Sequence, residues 1–204
     1  SSQTSFLRAF KERFGRTPKV WRKGGYKEYS NSILDICKTV SLIGEEYAHY
    51  EPQIVKTQKK VAYYIREKGY SKNATQIWQK IKAWVYTNDI TEFEQIGIYH
   101  DNPVITKRSD CHYVAAIVPL DKKKISKNTN LPSFDIHESL CACFNFEGEY
   151  EDILKLIQWV YHYWLPNSGY EATTIPSYTI FERNHFLDES GSIKAKYYVP
   201  IQYL

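Results

Sequence analysis

The strongest constraint on this 204-residue chain is that it repeats itself. VAYYIREKGY (61–70) lies over CACFNFEGEY (141–150) at an offset of 80, pairing Ala62 with Ala142, Tyr64 with Phe144, Glu67 with Glu147 and Tyr70 with Tyr150. The same offset pairs Ile77 with Ile157 and Trp84 with Trp164. At 82, IGIYHDNP (96–103) lies over YTIFERNH (178–185), matching Ile98 with Ile180, Tyr99 with Phe181 and Asn102 with Asn184. At 81, Val118-Pro119 lies over Val199-Pro200. Each copy opens with a β-rich run (54–66; 134–147) and continues into a helix with apolar residues at i, i+3, i+4 and i+7. Those residues are Ala74, Ile77, Trp78 and Ile81 in one copy, and Tyr150, Ile153, Leu154 and Ile157 in the other. Two further strands follow each helix, at 94–101 and 111–119, then at 172–183 and 193–203. The expected fold is α+β: two β-α-β-β units (53–120 and 133–203) related by a pseudo-two-fold. One unit is too small to close a core, so both helices should pack on one face and frame a shared groove. Lys122, Lys123 and Lys124 open the solvated connector between the copies.

Charge divides the chain differently. Residues 1–27 carry eight basic side chains and one acid, Glu12, for +7, and the remainder sums to −3. A basic head on a mildly acidic body suggests a polyanionic partner for the head, although a solvated basic helix face reads the same way. No apolar run is long enough for a membrane helix and no secretory signal opens the chain. Cys37, Cys111, Cys141 and Cys143 lack zinc or redox spacing and read as reduced structural thiols, as in a cytoplasmic protein. Cys141 and Cys143 alternate in a strand and should share a face. The chain has no Met, which suggests a piece of something longer. Tyr, at 18 residues, is unusually abundant and offers apolar faces with polar handles for binding.

Within the head, Phe6, Phe10 and Phe14 form a helical stripe, Gly15 ends the helix, and Thr17-Pro18 begins the next. Gln3, Thr4, Arg8 and Lys11 are read as lying opposite the stripe, where they can reach bases and phosphates. SSQTSFLRAFKERFGRTPKVWRK resembles the end of the AraC-type DNA-binding domain. The resemblance is carried by Phe6, Arg8, Phe10, Lys11, Phe14, Gly15, Thr17, Pro18, Trp21 and Arg22. It implies that Ser1 to Phe14 is the second recognition helix of a bipartite helix-turn-helix domain, whose first unit would lie upstream. Residues 1–24 would then be a DNA-binding remnant and 25–52 a helix-containing linker.

The body, 53–203, resembles the GyrI-like effector-binding domain found in Rob-type regulators. The carriers are IGIYHDNP, Thr106 and Tyr113 in the first copy, and EGEY, WLPNSGYE (164–171), Pro176 and YVPI (198–201) in the second. The resemblance implies a small-molecule effector in the inter-repeat groove, and the aromatic content suits a flat organic ligand. Tyr64, Tyr99, Trp164, Tyr178 and Phe181 are the candidate lining residues, ordinary core packing being the competing reading. In the family, the strand after Pro176 carries a carboxylate where this chain has Thr179 and a Tyr where it has Phe181. Glu182 is adjacent, and only a bulge would turn it inward. That departure opens the site to an uncharged or anionic ligand. No cofactor, metal or nucleophile motif is present, and no enzyme activity is expected. The expected partners are double-stranded DNA and an effector. The competing reading is a domain that sequesters or hydrolyses small molecules, with a non-regulatory head.

Overall fold

A computed structural model describes residues 2–34, 47, 50–70, 72–120, 130–149 and 152–204. Cys37, Glu45, Glu46, Lys122, Lys123, Lys124 and Tyr150 lie outside the described residues. Helix α1 (Gln3–Phe14) starts at Ser2, whose hydroxyl accepts from the Ser5 amide, and ends at Gly15 with φ 66°. That left-handed turn is one glycine adopts without a Cβ penalty. Thr17 then caps α2 (Pro18–Val20) from the front. The chain passes through a kinked turn at Gly24, φ 105°, into α3 (Tyr26–Leu34). Phe10 and Phe14 close on Trp21 at 5.7 and 4.5 Å between ring centroids, and Phe14 and Trp21 meet Tyr29 at 5.5 and 5.4 Å. Arg16 ties this corner by donating to the Gly25 carbonyl at 3.0 Å and pairing with Glu28.

The body is an antiparallel sheet of β1 (Gln53–Lys56), β2 (Lys60–Lys68), β3 (Phe93–Tyr99), β4 (His112–Pro119), β5 (Ser133–Ile136), β6 (Leu140–Glu149), β8 (Ser177–Arg183) and β9 (Ser192–Tyr203), with the short β7 (Tyr170–Ala172) paired to β9. The order β1-β6-β9-β8-β3-β4-β2-β5 reads symmetrically about the β8–β3 junction. Each expected β-rich run is therefore two strands. The first of each pair crosses to the other repeat: β1 pairs with β6, and β5 with β2. Thr57 and Ser139 clasp one crossing point, each amide bonded to the other residue at 2.9–3.1 Å.

Helices α4 (Lys72–Thr87) and α5 (Asp152–Trp159) cover one face. Ala74, Ile77, Trp78 and Ile81 from α4, and Ile153, Leu154 and Ile157 from α5, enter a single core with Tyr99, Tyr113, Phe144, Phe181 and Tyr197. After α5 the helix widens through 160–164 into α6 (Leu165–Asn167). The wider turn suits Pro166, which has no amide hydrogen to donate. The opposite face carries a smaller cluster of Ala62, Ile96, Ile98, Val114, Ala116, Val118 and Tyr178.

Two of the expected repeat alignments need correction by one residue. Ala62 and Tyr64 lie on the face away from the helices, whereas Ala142 and Phe144 lie under them. Equivalent positions are Tyr63 and Phe144, each packed on its own copy's tryptophan: Tyr63 on Trp84 at 5.3 Å, Phe144 on Trp164 at 5.2 Å. Val118 and Val199 likewise occupy opposite faces. The offset of 82 holds. Asn102 and Asn184 make the same turn, each side-chain oxygen accepting from the amide two residues on and each carbonyl from the amides three and four on. On the pseudo-two-fold itself, Gly97 faces its own counterpart, Thr179.

The linker helix α3 is docked on the body. Gln158 of α5 donates to Ser30 Oγ at 3.1 Å and to Asn31 Oδ1 at 2.9 Å, Tyr26 meets His162 edge-on at 4.9 Å, and Lys27 lies 4.4 Å over the Tyr163 ring. Burial and then the Lys27 charge push His162 down to about 4. The unfolded chain takes up this proton near pH 6.5, so stability is complete above that value and falls as pH drops toward 4. The loss should reach up to about 3 kcal/mol, and His162→Gln should flatten the slope in urea titrations between those limits. At Gly97 a Cβ would run into the Tyr113 hydroxyl and stand 3.0 Å from the Phe181 ring. Gly97→Ala should therefore cost about 1–3 kcal/mol, read as a lower urea midpoint at unchanged slope.

Candidate functional site

Strand alternation decides which side chains meet. On β3 and β8 the odd-numbered residues face the helices, bringing Tyr99, Ser177, Thr179 and Phe181 together at the centre of the sheet. β9 adds Tyr197, β4 adds Tyr113, and Tyr70 follows β2. The hydroxyls are mutually satisfied. Thr179 Oγ1 donates to Tyr99 Oη at 3.2 Å, Tyr99 and Tyr70 share a bond of 3.4 Å, Tyr197 donates to Ser177 at 2.9 Å, and Trp78 Nε1 donates to Tyr113 at 3.1 Å. Burial raises the Tyr99 pKa, partly opposed by these hydrogen bonds, and raises that of Tyr197 further. Both phenols stay protonated at neutral pH and act as hydrogen-bonding groups rather than charges. Trp164 lies further along this face, edge-on to Phe144 at 5.2 Å and stacked with Tyr170 at 6.5 Å.

The expected lining residues do not form one cleft. Tyr99, Trp164, Thr179 and Phe181 are on the helix face, while Tyr64 and Tyr178 are on the other. For Tyr64 the reason is the one-residue error in the 80-residue offset, which turns every side chain of a strand over, and Tyr178 adjoins Thr179 on β8, where successive side chains take opposite faces. Glu182 also departs from its expected place. The β8–β9 register does shift there, between Phe181 and Arg183, yet the Glu182 carboxylate pairs outward with Lys194 at 3.5 Å and Lys196 at 4.0 Å. The bulge does not restore a carboxylate to the helix face.

The sheet face away from the helices holds an open cavity of about 450 Å³. Its floor is Tyr64, Ile98, Val114 and Tyr178, and its walls are Phe134–Ile136 on β5 and the loop at Ile175 and Pro176. Arg66 and His100 stand in the lining as well. Tyr64 and Tyr178 are among the expected lining residues, whereas the β5 wall is not foreseeable from the sequence, because β5 reaches this place only through strand exchange. Cys141 and Cys143 share this face, beside Tyr178 and Tyr198 respectively, and burial pushes both thiols up. Cys111, Cys141 and Cys143 are free and buried. Among the described residues, no three His, Cys, Asp or Glu side chains are grouped to hold a metal ion.

In the head, Thr4, Arg8 and Lys11 are exposed on α1. Gln3 does not share their side: three and seven residues before Phe6 and Phe10, it lies along the aromatic stripe. Arg8, Lys11, Lys19, Arg22 and Lys23 make no ion pair among the described residues, so the head's charge is left open.

Comparison with known proteins bears on the body. The sequence profile of the GyrI-like small molecule binding domain matches residues 50–202. The chain belongs to this family. Similar solved structures include the EcmrR C-terminal domain, with TM-score 0.58, 16% identity, and coverage of 76% of this chain and 99% of that one. The EcmrR–DNA complex aligns over 100% of this chain and 78% of that one, at TM-score 0.58 and 14% identity. A hydrolase from Listeria innocua aligns over 78% of this chain and 98% of its own, at TM-score 0.55 and 11% identity. No curated protein sequence matches. At these identities the likeness is one of fold. The described part of this GyrI-like protein has no helix long and apolar enough to cross a membrane.

Tyr99→Phe removes the acceptor for the buried Thr179 hydroxyl and should destabilise the fold by about 1–3 kcal/mol. Tyr64→Phe, at the half-buried cavity floor, should change stability by less than about 0.5 kcal/mol. Thermal unfolding of the two variants side by side checks the contrast.

Proposed function

We propose that this chain belongs to a ligand-responsive transcription regulator of AraC type, acting in the cytoplasm. Its head reads double-stranded DNA, and its GyrI-like body binds a small, aromatic effector without turning it over. The observation that carries the reading is the seam between the two. Gln158, only 3% exposed, holds Ser30 and Asn31 of α3 from the outer side of α5. The inner side of α5 packs in the aromatic core with Phe144, Tyr99 and Tyr197. A ligand that displaces side chains on the helix face must move or brace α5, and α5 is what α3 and the head rest on. Linkage then requires the effector to favour one arrangement of the seam.

The exposed, unpaired cations of α1 and the turn after it fit a phosphate backbone. Alignment of the whole chain with EcmrR in its DNA complex supports the reading at the level of fold. Turnover is disfavoured chemically. Thr179 stands at the family's carboxylate position, Glu182 is engaged with lysines, and the Tyr99 proton is held by burial. The same substitution favours a neutral effector over a cationic one on the helix face.

The test is a gel-shift titration of the full-length gene product against promoter fragments at several salt concentrations. Arg8→Ala should weaken binding to specific sites, and Lys11→Ala should reduce the log–log salt slope by about 1. Gln158→Leu should leave ligand-free DNA affinity in place and suppress its change with effector. Absence of any sequence preference in the full-length protein would overturn the proposal.

A further inference from the structure

We propose that the cavity on the sheet face away from the helices is a second small-molecule site, and that it takes an aromatic or branched monocarboxylate anchored by Arg66. This does not depend on the regulatory reading above. Its floor is apolar and aromatic, its walls mix Phe134, Ile136, Ile175 and Pro176 with Asp135, His137, Ser139 and Thr174, and Tyr64 stands edge-on to Phe134 at 5.1 Å. Tyr178, at the far side, is held flat against Tyr198, with centroids 4.9 Å apart and rings 6° from parallel. These rings are fixed by their own packing, so the cavity is preorganised and ligand binding need not order it. Its volume of about 450 Å³ is in the ordinary range for sites of organic ligands.

The charge around the cavity selects the ligand. Asp135 is neutralised by Lys59 at 2.7 Å. Asp101, next to His100, is occupied by His112, accepting from its backbone amide at 2.8 Å and from Nδ1 at 2.9 Å. Arg66 has neither an ion pair nor a hydrogen bond among the described residues, although it lines the cavity. Burial and the Arg66 charge both lower the His100 pKa, leaving His100 neutral at pH 7 and the guanidinium as the uncompensated charge. A planar guanidinium matches a carboxylate through two parallel hydrogen bonds, which a lysine could not offer. The walls come from both repeats: β5 and the loop before β8 belong to the second, Arg66 and the floor residues Tyr64, Ile98 and Val114 to the first. The site exists only in the assembled pseudo-dimer.

The experiment is isothermal titration with 1-naphthylacetate and its uncharged counterpart 1-naphthylacetamide at matched ionic strength. The acid should bind about tenfold or more tighter than the amide, the worth of one charge-assisted hydrogen bond. Arg66→Gln, at an exposed position that should not disturb folding, should abolish that preference and leave the amide unchanged. Ile175→Asp, on the exposed wall, should weaken the acid selectively by placing a like charge beside it. Equal affinity for acid and amide in the parent protein, persistence of the preference in Arg66→Gln, or no binding of either probe at millimolar concentration would each overturn the assignment.

Discussion

Five residue pairs between β3 and β8, from Gln95 with Phe181 to Tyr99 with Ser177, join two half-domains that could not bury a core separately. Everything else is arranged around that junction. Because the strands run antiparallel across a pseudo-two-fold, both helices land on one face and their apolar stripes meet in one aromatic core. The junction also demands a close approach. Gly97 sits on the axis with the Tyr113 hydroxyl and the Phe181 ring filling the space a Cβ would take, so the large rings of the helix face can cross the seam between repeats. The Thr179–Tyr99–Tyr70 hydroxyl chain then satisfies the polar atoms those rings bring into the interior.

The repeat and the fold class were legible because they rest on side-chain identity over long stretches. Asn102 and Asn184 were paired correctly since each performs the same turn chemistry with its own side chain and carbonyl. Gly15 and Thr17 in the head were legible for a similar reason: their conformations are dictated locally. The faces of β2 and β6 were not. Tyr64 and Phe144 are alike in chemistry, and nothing in either strand records that one residue separates their registers. The strand exchange was hidden as well, because a continuous β-rich run gives no sign that its first four residues pair with a different partner from the rest. Gln3 was misplaced for a simpler reason, since three residues before Phe6 is the same side of a helix.

These differences reorganise the candidate site. A single aromatic cleft becomes two separate surfaces with different chemistry. The helix face is dense, neutral and hydrogen-bonded within itself, with Thr179 donating to Tyr99. The opposite face is open and carries an unanswered cation. Membership of the GyrI-like family speaks to small-molecule binding by the body as a whole. Between that body and the head stands α5, with the aromatic core on one side and α3 on the other.

The crossing of β1 and β5 has a bearing on how the chain acquires its structure. Lys56 finds its partner at Leu140, so the first strand of the body leaves the ribosome long before the strand that will receive it. The first repeat likewise lacks an edge until Phe134 arrives opposite Ala62. Until then, both edges of a sheet rich in Val, Ile and Tyr stay open to unintended pairing. Such long-range closure slows folding and makes it cooperative across the whole body. A cut in the connector between the repeats should thus yield two interlocked pieces rather than two independent domains.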